Sequence, residues 1–400
     1  MSSRLLPRSR SPAAAPPLED DNLLCEILLR LPPEPSSLPR ASVVSKCWHH
    51  LISDPGFSRC FRLHHRHKPP LLGFFEELCF KSTMDRPNRI PDGRFCLQVD
   101  NHFLLGCHHG LVLIFQLRPL KVLVWDPVTG ELHQIAAPPG FDPMETPTNG
   151  AVLRATGDIQ HFQVVLVCTE TNNQQHTRAI ARVYSSETGG WGDLISTLIP
   201  PKASPGSNRP PCIVFTEPPG VQVGHSLYWL LFESLAGILE FDLDRQSLSV
   251  IHVPVDIDNY HCTVMRAEGG GLGFIYLSGL SAQLWRRKTN CDGVASWVLG
   301  KTIELDKLFS MNSKDIGYPM VQGFAEDNNV VFLLTDMGLF TIQLESLQFK
   351  KFCEIDYLSR YYPLETVFAA GNSMPLHSGY NKAHISFVNW LSQCCSNLSV

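Results

Sequence analysis

Two histidine clusters, His64-His65-His67 and His108-His109, hold the residue types best suited to ligating a metal ion. A metal site needs three or four donors converging from one side. Neighbouring histidines on a strand point to opposite faces, and no carboxylate or cysteine joins them at ligand spacing. The expectation is a connector for the first cluster and a sheet edge for the second. Gly269-Gly270-Gly271-Leu272-Gly273 resembles a phosphate loop, but it lies between two apparent strands and opens no helix, so a tight hairpin turn is expected. Gly224-His225-Ser226 lacks the second glycine of a nucleophile elbow and precedes a strand. Thirteen cysteines contain no C-x-x-C pair, and only Cys394-Cys395 are adjacent. That excludes a zinc pattern or disulfide framework and suits a reducing compartment. No catalytic residue, metal or cofactor is expected, and the chain reads as non-enzymatic.

Composition narrows the class further. Of 400 residues, 44% are hydrophobic and 18% charged, enough for a small module plus one large domain with a substantial core. A net charge of −5 gives no basic footprint for nucleic acid or lipid, and no apolar run reaches the ~18 residues that span a bilayer. The expected location is cytoplasmic, nuclear or both. Residues 1–17, rich in Ser, Ala, Pro and Arg without an acid, read as a disordered tail rather than a transit peptide.

Helical periodicity is confined to the start. Leu23, Leu24, Ile27, Leu28 and Leu31 form one apolar stripe, preceded by Glu19, Asp20 and Asp21 and stopped by Pro32-Pro33. A second helix is expected after Ser36 or Ser37, with Pro39 in its first turn, the stripe Leu38, Ala41, Val44, Trp48, Leu51 and Ile52, and a stop at Asp54-Pro55-Gly56. Two such helices bury too little surface to stand well alone. Their spare apolar face must meet the rest of the chain or a partner. Six basic residues between Arg40 and Lys68, against the single acid Asp54, would suit an acidic partner surface.

The wording Leu23–Pro32, Ser37–Arg40 and Val44–Phe57 resembles the F-box. The resemblance implies a Skp-family adaptor as partner, and through it a cullin. Adaptor contacts are expected at Leu23, Leu24, Ile27, Leu28, Leu31, Pro32, Val44, Trp48 and Leu51. The chain departs from the family pattern in two places. Pro17-Leu18 stands where Leu-Pro is usual, and Ser45 replaces a common Cys.

Beyond the His/Arg-rich stretch near residue 65, short Val/Ile/Leu/Phe/Tyr runs recur between Gly, Asp, Asn and Pro, in five groups of four between Phe103 and Phe352. Aromatics close the third run of each group at Trp125, Tyr184, Phe241, Trp285 and Phe340. A repeat of about fifty residues and four strands predicts a β-propeller, whose blades cover one another's faces. Leu71–Glu76 with Arg94–Val99, and Thr366–Ala370 from the far end, are expected to build a sixth, composite blade. The fold class is therefore mainly β, a short helical F-box followed by about six four-stranded blades. Its segments are a tail at 1–17, F-box at 18–60, linker at 61–70, propeller at 71–375 and tail at 376–400. PPLLGFF (Pro69–Phe75), HGLVL (His109–Leu113), WDPVTG (Trp125–Gly130), LWRRK (Leu284–Lys288) and TIEL (Thr302–Leu305) resemble the F-box-associated domain of a large plant family.

This resemblance implies a substrate-recognition subunit of an SCF-type ubiquitin ligase, its propeller capturing an unidentified target protein. The alternatives are an F-box scaffold acting outside ubiquitination, and a propeller enzyme or glycan-binding module. No spacing points to a Tyr/Cys/His copper site of the kind some propellers carry. The loops Pro138–Asn149, Asn172–Thr177 and Pro200–Pro211 are target-binding candidates, with no residue assigned.

Overall fold

The computed structural model describes residues 21–154, 161–171, 177–199, 213–214, 218–232, 237–254, 261–352 and 360–368. The tails at 1–17 and 376–400, and the loop candidates at 172–176 and 200–211, lie outside them. Two compact units emerge: the N-terminal helices through His67 together with Val367, and Lys68 through Thr366.

The first unit holds α1 (Asp21–Leu29), α2 (Ser37–Ser42), α3 (Lys46–Ser53) and α4 (Pro55–His65). Periodicity predicts one second helix through Ile52, but the structure breaks it at Val43–Ser45. Ser45 is extended (φ −155°, ψ 163°) and its side chain accepts the Trp48 N–H at 3.2 Å, so it caps a new helix. The departure from the family wording thus supplies an N-cap, a contact worth about 1 kcal/mol. Asp54-Pro55 starts a helix where a stop is expected. The Asp54 carboxylate accepts the Phe57 N–H at 2.8 Å, and Pro55, at the first helical position, lacks an N–H that would have gone unpaired. Residues 61–65 are therefore helix, not linker. Phe57 and Phe61 from α4 join Leu24, Leu28, Leu38, Ala41, Ile52 and Val367 in one core.

The second unit opens with β1 (Leu71–Glu76) and β2 (Cys79–Ser82). Blade one is β3 (His102–His108), β4 (Leu111–Leu117), β5 (Leu120–Trp125) and β6 (Leu132–Ala136). Blade two is β7 (Thr148–Arg154), β8 (Phe162–Thr171) and β9 (Thr177–Ser185), its outer edge shared by β10 (Gly190–Trp191) and β11 (Ile195–Leu198). Blade three has a divided inner strand, β12 (Ile213–Val214) and β13 (Val221–Val223), then β14 (Ser226–Phe232), β15 (Gly237–Asp242) and β16 (Ser247–His252). Blade four is β17 (Cys262–Arg266), β18 (Leu272–Ser278), β19 (Ser281–Thr289) and β20 (Ala295–Glu304), followed by α5 (Leu305–Phe309) and α6 (Ser313–Ile316). Blade five is β21 (Met320–Ala325), β22 (Val330–Thr335), β23 (Gly338–Gln343) and β24 (Phe349–Lys351). The last strand, β25 (Tyr361–Glu365), pairs antiparallel with β1.

Blade six is therefore composite, with the order β2-β1-β25. Its C-terminal strand is Tyr361–Glu365 rather than Thr366–Ala370, and Cys79–Ser82 is a strand that sequence reading omits. Arg94–Val99 contributes a single bridge, Cys79 to Cys96, in place of a full fourth strand. Polar Gln98, Asp100 and Asn101 and the glycine and prolines near residue 92 give that segment no alternating apolar face.

The repeat shows most clearly in the turn from third to fourth strand. Asp126 Oδ1 accepts the N–H of Val128 (2.9 Å) and Thr129 (3.1 Å), and Gly130 sits at φ +79°. Asp242 Oδ1 does the same for Asp244 and Arg245, with Gln246 at φ +49°. Ser185 and Gln343 occupy the position in blades two and five. Side-chain capping of these turns explains why the WDPVTG wording recurs in degraded form. Between blades, apolar faces pack in pairs: Ala151, Val165 and Val167 against Leu227, Trp229 and Leu239, for example, and Ile275 and Leu284 against Val331 and Phe340.

Candidate functional site

The helical unit divides its predicted contact residues into two groups. Leu24 and Leu28 are 0% exposed and belong to its own core. This corrects their assignment to the adaptor face: at positions i and i+4 they lie on the inward side of the stripe. Leu31, Trp48 and Leu51 pack partly against that core, and Ile27 is half-buried. Leu23, Val44 and Pro32 are exposed, and so is Val43, which the periodicity leaves out. Val43 is 83% and Val44 63% exposed. The Cys47 thiol donates to Asp21 Oδ1 at 3.5 Å, which sets the start of α1 beside the start of α3. Val43 and Val44 lie in the turn that precedes α3, and Leu23 lies in the first turn of α1, with exposed Arg40 and Lys46 near the valines in sequence. An exposed β-branched pair flanked by cations makes an apolar contact with a polar rim.

The first histidine cluster is structural. His65 Nε2 bonds the Leu29 carbonyl at 2.9 Å, satisfying an orphan acceptor at the end of α1, and its ring lies 4.6 Å from Phe61. Burial lowers its pKa.

The second cluster reaches one mouth of the propeller axis. His109-Gly110 is the two-residue turn of a hairpin, both residues at positive φ (52° and 76°). A Cβ on Gly110 would lie 2.4 Å from Thr366 Oγ1, so the HGLVL wording meets a close approach as well as a turn. His108, at the end of inner strand β3, faces Glu326 Oε1 at 3.1 Å. Glu326 Oε2 accepts the Gln222 N–H at 3.0 Å. Arg266 lies 3.9 Å from Asp327. Glu365 at the end of β25 accepts from Asp327 N (3.1 Å) and from Asn328 N and Nδ2 (2.7 Å each). These side chains line one recess together with Cys107 and His109. Sequence alone could not collect them, because they sit at or just beyond the ends of different inner strands, spread along the chain from Cys107 to Glu365. No group of three His, Cys, Asp or Glu residues among the described residues is placed to hold a metal ion.

Burial, reinforced by Asp327, pushes the Glu365 carboxyl up to about 7, and burial with Glu326 beside it raises Asp327 to about 6. Burial, with His108 alongside, lowers His109 to about 4. Folded Glu365 and Asp327 hold protons that the unfolded chain releases between about pH 4 and 7, so their contribution to stability falls as pH rises through that window. His109 acts with the opposite sign between about pH 4 and 6.5. The Glu365→Gln variant should gain stability relative to the wild type by on the order of 2 kcal/mol between pH 5 and 8. Any fixed cost of the amide drops out of that difference. Denaturant unfolding at the two pH values checks this; parallel pH profiles for the two proteins would contradict it.

Comparison with known proteins follows the same division. An F-box domain model matches residues 20–60. A model described as F-box protein AT5G49610-like, beta-propeller, matches residues 103–369, two-thirds of the chain. The chain belongs to this F-box family. No curated protein matches this F-box protein. Solved structures match it at low identity and low TM-score. BBS1N in complex with ARL6DN is 11% identical, with 70% of this chain and 79% of that one covered and a TM-score of 0.35. The PQQ-bound aldose sugar dehydrogenase of Streptomyces coelicolor is 12% identical, with 70% and 92% covered and a TM-score of 0.34. Among the described residues no helix is long and apolar enough to cross a membrane.

Proposed function

We propose that this F-box protein is the substrate-recognition subunit of an SCF-type ubiquitin ligase. Its helical unit docks a Skp-family adaptor, and through it a cullin, while its propeller captures a target protein. The observation that carries this reading is an F-box whose core is already filled by its own residues, yet which keeps Leu23, Val43 and Val44 exposed. The chain performs no covalent chemistry in this role. Tethering raises the effective concentration of target lysines near the conjugating enzyme.

Adaptor contact is assigned to Leu23, Ile27, Pro32, Val43 and Val44, with Leu31, Trp48 and Leu51 supporting them from beneath. The double substitution Val43→Asp/Val44→Asp should weaken adaptor capture about 100-fold or more, since truncating or charging central contacts costs ~2 kcal/mol or more each. Both melting transitions should stay in place because neither side chain is buried. Quantitative pull-down with the adaptor is the measurement, and undiminished capture would refute the assignment. Co-purification of a cullin, and target half-lives with and without this protein, separate a ligase subunit from a scaffold.

A further inference from the structure

Blade six ends differently at its outer edge. Blades one, four and five each close with a full fourth strand. In blade six the chain leaves β2 after Ser82 and returns to it at one bridge, Cys79 opposite Cys96.

The next residue on each side fixes the register. Phe80 and Phe95, each 2% exposed, pack edge to face with ring centroids 4.9 Å apart, so the antiparallel pairing runs on by one position. The Ile90 N–H donates to Ser82 Oγ at 3.3 Å, a second tie between the returning chain and β2. Successive side chains along a strand face opposite sides. With both phenylalanines turned inward, Cys79 and Cys96 share the outer face, and both are exposed. Directly opposed residues of an antiparallel pair have Cα atoms about 4.5–5.5 Å apart, within the range of about 4.4–6.8 Å that a disulfide bridges. Burial raises the Cys79 thiol, and Cys96 raises it further, as two neighbouring sulfurs would. Among the described residues no other two cysteines are partners across a bridge or ladder.

We propose that Cys79 and Cys96 form a redox-modification site, in which a small disulfide such as oxidised glutathione converts the two thiols into a disulfide across the outer edge of blade six. One cysteine thiolate attacks a sulfur of the oxidant and releases the first glutathione thiolate. The second cysteine then attacks the protein-bound sulfur of that mixed disulfide and releases the other glutathione. The two cysteines give up two protons and two electrons, and the oxidant leaves as two molecules of reduced glutathione. The product closes residues 79–96 into a covalent loop and clamps the returning chain to β2, in the place a fourth strand would hold.

The test equilibrates the full chain, folded and in concentrated urea, in glutathione buffers of stepped ratio. Acid quenching and mass spectrometry of the cysteine peptides then map every linkage. The value of [GSH]²/[GSSG] that closes half of the Cys79–Cys96 pairs should be about tenfold higher or more in the folded chain, because the fold holds the sulfurs at an effective concentration the flexible chain lacks. Through the same cycle, a tenfold difference adds about 1.4 kcal/mol to the stability of the oxidised protein.

In the most oxidising buffer, Cys79→Ser should leave Cys96 as a mixed disulfide with glutathione. Cys291, exposed at the tip of the β19–β20 hairpin, should carry glutathione in the wild type as well, while Cys79 and Cys96 carry none. A half-point no higher in the folded chain than in urea would overturn the proposal. So would glutathione retained on Cys79 or Cys96 in the wild type, or linkage of either to a different cysteine.

Discussion

A chain ending at Arg360 loses the cooperative melting transition of the propeller. It lacks β25, the inner strand of blade six and the segment that closes the ring. β25 pairs with β1 over Leu71 to Glu76, and Tyr361 and Leu364 are 0% exposed. The Tyr361 ring lies 4.9 Å from Phe74, which also meets Phe332 of blade five at 5.4 Å. Glu365 ties the same strand to the turn at Asn328. Even the backbone approach is tight, since a Cβ on Gly323 would come within 2.3 Å of the Tyr361 carbonyl oxygen. Burial of Tyr361, Tyr362 and Leu364 at about 2 kcal/mol each, plus a lost ladder and exposed faces on blades five and one, rivals the ~5–15 kcal/mol that holds a domain together. Calorimetry of the truncated chain checks this. An unchanged single transition would mean that five blades and a hairpin suffice.

Leu28→Asp should unfold the helical unit and abolish adaptor capture together. Leu28 is 0% exposed, and its neighbours in the core are Leu24, Leu38, Ile52, Phe57 and Phe61. A carboxylate there would be buried without a partner, at a cost of about 3–5 kcal/mol. Four short helices cannot absorb a loss of that size. The contrast with Val43→Asp/Val44→Asp is the informative part, because both variants lose adaptor while only Leu28→Asp loses helical signal. Circular dichroism at 222 nm beside the pull-down resolves them. Full helicity in Leu28→Asp would place that leucine back on the surface.

These two experiments mark where sequence was readable and where it was not. The stripe Leu23, Leu24, Ile27, Leu28, Leu31 predicts α1, but periodicity cannot say which half of a stripe meets its own core and which meets a partner. The answer depended on α4, and α4 was hidden because Asp54-Pro55 reads equally as a stop and as a cap followed by the first helical residue. Phe57 and Phe61, four apart, were the available signal. In the propeller, the five groups of runs expected between Phe103 and Phe352 correspond to blades one to five, because apolar runs between turn residues are strong local signals. β13, three residues long, and β2, four, are too short to show a period. The axial cluster was invisible for another reason: Arg266, Glu326 and Glu365 share no sequence neighbourhood, and only ring closure brings strand ends together.

Blade six also has a consequence for synthesis. Because β1 waits for β25, the chain must expose an unpaired strand edge from the time Leu71 leaves the ribosome until Glu365 does, with some three hundred residues made in between. Nascent copies therefore carry a half-built sheet with an open edge until the last strand is made. A chain that stops short of Tyr361 keeps that edge of β1 unpaired.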